Sequence, residues 1–172
     1  ENSHTTIESN FSANSLIYGS VFFLQGFWFG KGSKEEVQQK MHPTDSSANA
    51  AILYREMITE FDYNQTEGFY ITTEVFERVK IYNKEGFDWA TKKVNLYQGS
   101  GGAKEEISNL KGYTYYLEDG KVKDQRLKND GIFEEEMSKF YEQTRFTMPN
   151  LSEGCVIEYR YMIKSPYVSN ID

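Results

Sequence analysis

The sequence predicts a mostly β domain of antiparallel strands with one or two short helices. Three observations carry that prediction. Tyr and Phe are abundant, at 13 and 12 of 172 residues, while Pro is scarce at 3; aromatic side chains suit a pleated, half-buried surface. Several stretches alternate apolar and polar residues with the period of two that a strand imposes. No strand–helix–strand alternation and no long-period repeat interrupts them.

The chain starts with a polar stretch, ENSHTTIESNFSANS (1–15), which reads as a tail or loop. LIYGSVFFLQGFWF (16–29) is strongly apolar, but Gly19, Ser20, Gln25 and Gly26 interrupt it. It falls short of the about 20 apolar residues a membrane span needs. No Lys or Arg precedes it to serve as the positive region of a signal peptide. Three readings stay open: one or two strands, the remnant of an export signal, or an appended segment. Strands are favoured.

GKGSKEEVQQKMHP (30–43) carries a helix signature. Ser33 can cap, Glu36 completes a capping box, Val37 and Met41 share a face, and Pro43 blocks continuation. After the polar link TDSSAN (44–49), AAILYREMITEF (50–61) reads as a strand with Ile52, Tyr54 and Ile58 on one side. FYITTEVFERVKIY (69–82) is the clearest strand. Phe69, Ile71, Val75, Val79 and Ile81 fall on one face, and Thr72, Glu74, Arg78 and Lys80 on the other. Glu77, among the apolar set, is its single violation.

NKEG (83–86) reads as a turn, with FDWATKKVNLY (87–97) returning as the hairpin partner of 69–82. QGSGGAKEEISNLKG (98–112) is expected to be a glycine-rich loop with a helical turn at 103–110. YTYYLEDGKVKDQRL (113–127) reads as a hairpin around Asp119-Gly120, a pair that tolerates positive φ. NDGIFEEEMSKFYEQ (129–143) reads as helix or irregular, with Phe133, Met137, Phe140 and Tyr141 suited to a helix face. TRFTMPN (144–150) is extended and turns through Pro149 to Gly154. CVIEYRYMI (155–163) then alternates, with Cys155, Ile157, Tyr159, Tyr161 and Ile163 opposite Glu158 and Arg160.

Length suits one domain with a proper core. A net charge of −7 without a Lys/Arg cluster repels phosphate backbones and argues against nucleic acid as a partner. The single cysteine excludes an internal disulfide and any multi-cysteine metal site. As a nucleophile, Cys155 would need a thiolate held by a histidine or a helix N-terminus. The two histidines are His4, in the polar tail, and His42, at the end of the short helix. The alternation around Cys155 instead predicts a small buried core residue.

His42 belongs to no HExxH-type spacing, and Asp45 beside it reads as a solvated loop neighbour. The GSGG cluster (99–102) lacks the Lys-Ser/Thr of a phosphate loop. Trp28, Trp89, Tyr113, Tyr115 and Tyr116 could form a stacking platform for sugars, against the simpler reading of core aromatics. Sequons at Asn10, Asn64 and Asn150 matter only in a eukaryotic secretory protein. No catalytic, cofactor-binding or metal-binding residue is assigned. The loop around Gly99–Gly102 and the face holding Trp89 are the first places to look for function.

KGSKEEV (31–37), HPTDSSANAAILY (42–54), ERVKIYNKEGFDWA (77–90) and FTMPNLSEGCVIEYRYMIKSP (146–166) add a further signal. Together, in order and spacing, they resemble the N-terminal domain of unknown function that precedes transglutaminase-like domains in exported bacterial proteins. The resemblance covers 29–172, leaving 1–28 without a counterpart. It implies an antiparallel β-sandwich, similar in architecture to the N-terminal domain of the M1 aminopeptidases, and export to periplasm or cell surface. It implies no catalytic residue here, because the Cys-His-Asp set of such proteins belongs to the downstream domain. Position 155 in that motif is commonly a small residue such as Ser, consistent with packing. Members continue beyond SPYVSNID, which implies a sandwich incomplete at its C-terminal edge, with 1–28 as a candidate cover.

The expected function is therefore non-enzymatic: an extracytoplasmic module that packs against or positions a transglutaminase-like domain or another protein chain. The alternative is a ligand-binding module for glycan or peptide, using exposed aromatics or an open sheet edge. An enzyme in its own right ranks third.

Overall fold

In the computed structural model, residues 29–99 and 103–168 are described. Their elements run α1 (Lys34–Gln38), β1 (Ala50–Asn64), β2 (Gly68–Ile81), β3 (Thr91–Tyr97), β4 (Glu106–Glu118), β5 (Lys121–Arg126), β6 (Ile132–Ser138), β7 (Tyr141–Thr147) and β8 (Val156–Ser165). A five-stranded sheet has the order β1-β2-β8-β4-β5, and a three-stranded sheet the order β3-β7-β6. Every pairing is antiparallel. The mostly β, antiparallel expectation holds.

The two sheets share one core. Val79, Ile81, Cys155, Ile157 and Tyr159 of the larger sheet and its approach meet Val94, Leu96 and Phe146 of the smaller. The Phe146 ring meets Tyr159 edge-on, with centroids 5.2 Å apart. The outer face of the larger sheet is also covered over part of its area. Val37 of α1 packs there with Tyr115 and Val156. Residues 29–38 therefore act as a strap over that face. Gly32 lies so close to the Tyr115 ring that a Cβ there would sit 2.5 Å from it.

α1 is built as its sequence predicts: Ser33 accepts from the Glu36 backbone N–H, and the Glu36 carboxylate reaches back to the Ser33 N–H. The Asp119-Gly120 turn also forms, with φ of 50° and 72° joining β4 to β5.

Four expectations are corrected. Residues 84–90 form a short 3-10 segment, and β3 leaves β2 to pair with β7 in the other sheet. Ala90, fully buried, anchors that departure in the shared core. The expected helical turn at 103–110 is the start of β4, whose partner β8 takes up Glu106, Ile107 and Ser108. The helical reading of 129–143 gives way to the hairpin β6–β7. Its apolar residues recur at a spacing that fits either period, and pairing to β3 through β7 decides for strand. A register shift between Ile52 and Tyr54 separates residues expected on one side. Ile52 faces Val79, while Tyr54 faces Arg78.

β8, the last strand among the described residues, lies inside its sheet between β2 and β4. The open edge expected at the C-terminal side is therefore not formed by β8. Among the described residues the edges are β1 and β5 in one sheet and β3 and β6 in the other.

Candidate functional site

Cys155 is fully buried, among the core residues. Burial pushes its thiol up, against the pull of the Ser152 backbone contact and of Lys80. A thiol in that state is a small apolar side chain, not a standing thiolate. His42 accepts from the Thr44 backbone and contacts its hydroxyl, and Asp45 accepts from Ser47. Among the described residues no group of three or more His, Cys, Asp and Glu could hold a metal ion.

Among the described residues the suggested aromatics do not form one platform: Tyr113 stacks on Tyr115 with ring centroids 6.1 Å apart, but Tyr116 and Trp89 lie elsewhere. Tyr115 is buried under the strap, Tyr116 packs against the main core, and Trp89 stands beside Lys92, whose ammonium lies 5.2 Å from the ring centroid. Trp28, and Ser100–Gly102 of the glycine-rich loop, lie outside the described residues, as do His4, the Asn10 sequon and the apolar run 16–28.

Three other sites emerge. The first is a charged cluster under the strap. Arg78 on β2 lies opposite Glu158 on β8, and both are buried. One Glu158 oxygen accepts from Arg78 Nε (3.0 Å) and Nη2. The other accepts from the Tyr115 hydroxyl and the Gly30 backbone N–H, each at 2.5 Å. Arg78 Nη1 also reaches Glu36 of α1 at 3.3 Å, and Nη2 donates to the Lys31 carbonyl at 3.0 Å. Lys80, one alternation further, donates to the Val37 and Gly154 carbonyls. Its ammonium is pulled down to about 8, because burial disfavours the charge more than the nearby Glu36 carboxylate restores it.

The second is Glu77, on the inner face. Its oxygens accept from Lys92 Nζ (2.7 Å), the Tyr159 hydroxyl and Arg55 Nε. Burial alone would raise its pKa, but Lys92, Tyr159 and Arg55 outweigh burial and hold the carboxyl below its ordinary value. Lys92 comes from β3, so this contact ties one sheet to the other. Both carboxylates have their oxygens engaged by several donors. That arrangement holds charge in place and leaves no free lone pair aimed at a substrate.

The third is the far half of the β1–β2 hairpin. Along the inner face, Arg55, Met57, Phe61 and Tyr63 of β1 pair with Glu77, Val75, Ile71 and Phe69 of β2. Ile71 and Val75 are buried, but Met57, Phe61, Tyr63 and Phe69 are about 60% exposed or more. Phe69 and Tyr63 touch, with ring centroids 4.9 Å apart. On the outer face, Glu56, Glu60, Asp62 and Glu74 occupy the alternate positions. A depression of about 290 Å³ on that outer face is lined by Ile58, Glu74, Phe76, Lys111, Arg160 and Met162, among others.

These three sites are hidden in the sequence to different degrees. Glu77 stands out as the one charge in an apolar row. Arg78, Lys80 and Glu158 read as solvated because the strap that buries them is remote in sequence. The hairpin face reads as core, since an alternating sequence does not show where the facing sheet stops.

No protein-family model matches the chain. No curated protein matches it either. Among solved structures, the crystal structure of a "putative protease" from Parabacteroides distasonis is similar, with a TM-score of 0.51 and 10% sequence identity. The match covers 68% of this chain and 23% of that one, so the chain spans about a quarter of that protein's length. At this identity the likeness is one of fold. Among the described residues, no helix is long and apolar enough to cross a membrane.

Proposed function

We propose that the chain is a non-catalytic β-sandwich module, exported to the periplasm or cell surface, that packs against or positions a transglutaminase-like domain or another protein chain. One observation carries the reading. The larger sheet extends beyond the smaller, and its inner face there presents Met57, Phe61, Tyr63 and Phe69 to solvent. Neighbouring exposed aromatics on a strand pair are the composition of a protein contact surface. The sheet-rich fold shared with part of a longer protein is in keeping with a module that works beside other domains.

The test is site-specific photo-crosslinking in the source cells, with the reactive group placed at Phe69 or, as control, at Leu117, an exposed residue at the β4–β5 turn. The reading expects one discrete adduct from position 69, to a transglutaminase-like region or one other polypeptide, and none from 117. Equal labelling from both positions, or none from 69, would overturn it. The intact mass of the polypeptide in those cells tells whether the adduct lies within one chain.

A further inference from the structure

Building on the packing-module reading, we infer that β1 is the receiving edge for an extended segment of another polypeptide, one whose side chains alternate apolar and basic. β1 ends its sheet and pairs only with β2 among the described residues. Residues 55–63 are exposed without a break. An edge strand presents a row of unpaired backbone donors and acceptors, which an incoming strand can satisfy. Natural edges are shielded by Pro, bulges, lysines or shortness. This one runs 15 residues, its register shift lies before Arg55, and its one cation over 55–63 is committed to Glu77.

The side chains specify what would add. Met57, Phe61 and Tyr63 continue the inner apolar face, so the incoming strand places apolar residues there. Glu56, Glu60 and Asp62, with Ile58 between the first two, occupy the outer face, so the incoming residues opposite the carboxylates carry positive charge. Cross-strand pairs of opposite charge are favourable, and like charges directly opposite are not.

The same rule disfavours a second copy. Pairing β1 with β1 of another molecule sets Glu56, Glu60 and Asp62 against one another, between chains of net charge −7. The opposite edge, β5, brings no better match. Its Lys121 and Lys123 lie opposite Glu118 and Tyr116, on the inner face, where β1 is apolar.

The probe is a synthetic peptide alternating Lys and Ile, long enough to span 55–63. It is titrated into the 172-residue chain at low salt, beside a Glu/Ile peptide and a scrambled Lys/Ile peptide. Amide hydrogen exchange maps the contact. The Lys/Ile peptide should bind about tenfold or more tighter than either control. It should slow alternate amides of 55–63 while leaving 77–81 unchanged. Glu60→Lys with Asp62→Lys should reverse the preference towards the Glu/Ile peptide, and unaltered exchange at 77–81 certifies that this variant is folded.

Equal binding of the scrambled peptide, protection elsewhere than β1, dimerisation through β1, or β1 amides already protected in the chain alone would each overturn the inference. An adduct from position 69 with no peptide binding would sink the edge proposal and leave the module reading standing. Peptide binding with no adduct from 69 would instead count against the module reading.

Discussion

β2 crosses two environments within one strand. From Glu77 to Ile81 every residue is buried, on both faces: sheet against sheet below, sheet against strap above. From Gly68 to Phe76 burial is confined to Ile71 and Val75, and the neighbouring β1 residues are exposed throughout 55–63. The residue types hardly differ, since both halves alternate apolar with polar. What differs is what lies over them. The near half is spent on stability, and its buried charges are closed into fixed partnerships. The far half buries little, and Met57, Phe61, Tyr63 and Phe69 stay exposed on it.

That contrast can be broken from the near half first. Replacing Arg78 with Leu leaves Glu158 and Glu36 buried without their cation. Orphaning a buried charge costs about 3–5 kcal/mol. The expected result is a large drop in the urea midpoint with an unchanged slope, or failure to fold. Cys155→Ser is next. A hydroxyl buried there loses solvation that the neighbouring Ser152 backbone and Lys80 offset only in part, so the change should cost about 1–3 kcal/mol, with Cys155→Ala costing less. A hydrolase activity lost in C155S at unchanged stability would contradict the packing role.

Smaller effects follow from pH. The Glu77 carboxyl sits below its ordinary value of 4.5, so its stabilisation is complete above that pH and is lost as pH falls through the folded value. Glu77→Gln should flatten that acid limb of the stability curve. Lys80 gives a second rise with pH, of the same sign but in an alkaline window and from a different cause, burial of its charge. With its folded pKa near 8 against 10.5, the unfolded chain binds more protons between those values, so stability should rise from pH 8 upward. The rise should be visible only to about pH 10, where tyrosines begin to ionise in the unfolded chain; Tyr159 and Tyr115, raised by burial, resist ionisation when folded. Lys80→Met should remove the rise. The smallest effect belongs to the far half. Phe61→Ser with Phe69→Ser should change stability by less than about 0.5 kcal/mol, as for exposed positions generally, while abolishing the adduct from a reactive group at Tyr63.

Much of the fold was legible in local pattern. The capping box at Ser33 and Glu36, the Asp119-Gly120 turn and the period of two in β2 and β8 are short-range signals, and each appears where its residues place it. The partner of β3 was not legible, because a short 3-10 segment between strands can either reverse a hairpin or carry the chain to the other sheet. The β6–β7 hairpin was missed because Phe133, Met137, Phe140 and Tyr141 suit a helix face as well as a strand. The site was less legible still. Glu77 announced itself by breaking the apolar row. The burial of Arg78 and Glu158 depends on a strap more than forty residues away from Arg78, as its Glu36 contact shows.

Amide exchange along β1 and β2 in the isolated chain tests the central contrast most directly. Amides of 77–81 should exchange only through global unfolding, and the edge-facing amides of 57–63 should exchange orders of magnitude faster. Uniform protection along both halves would mean that the hairpin face is already covered, and the reading of it as a contact surface would be wrong.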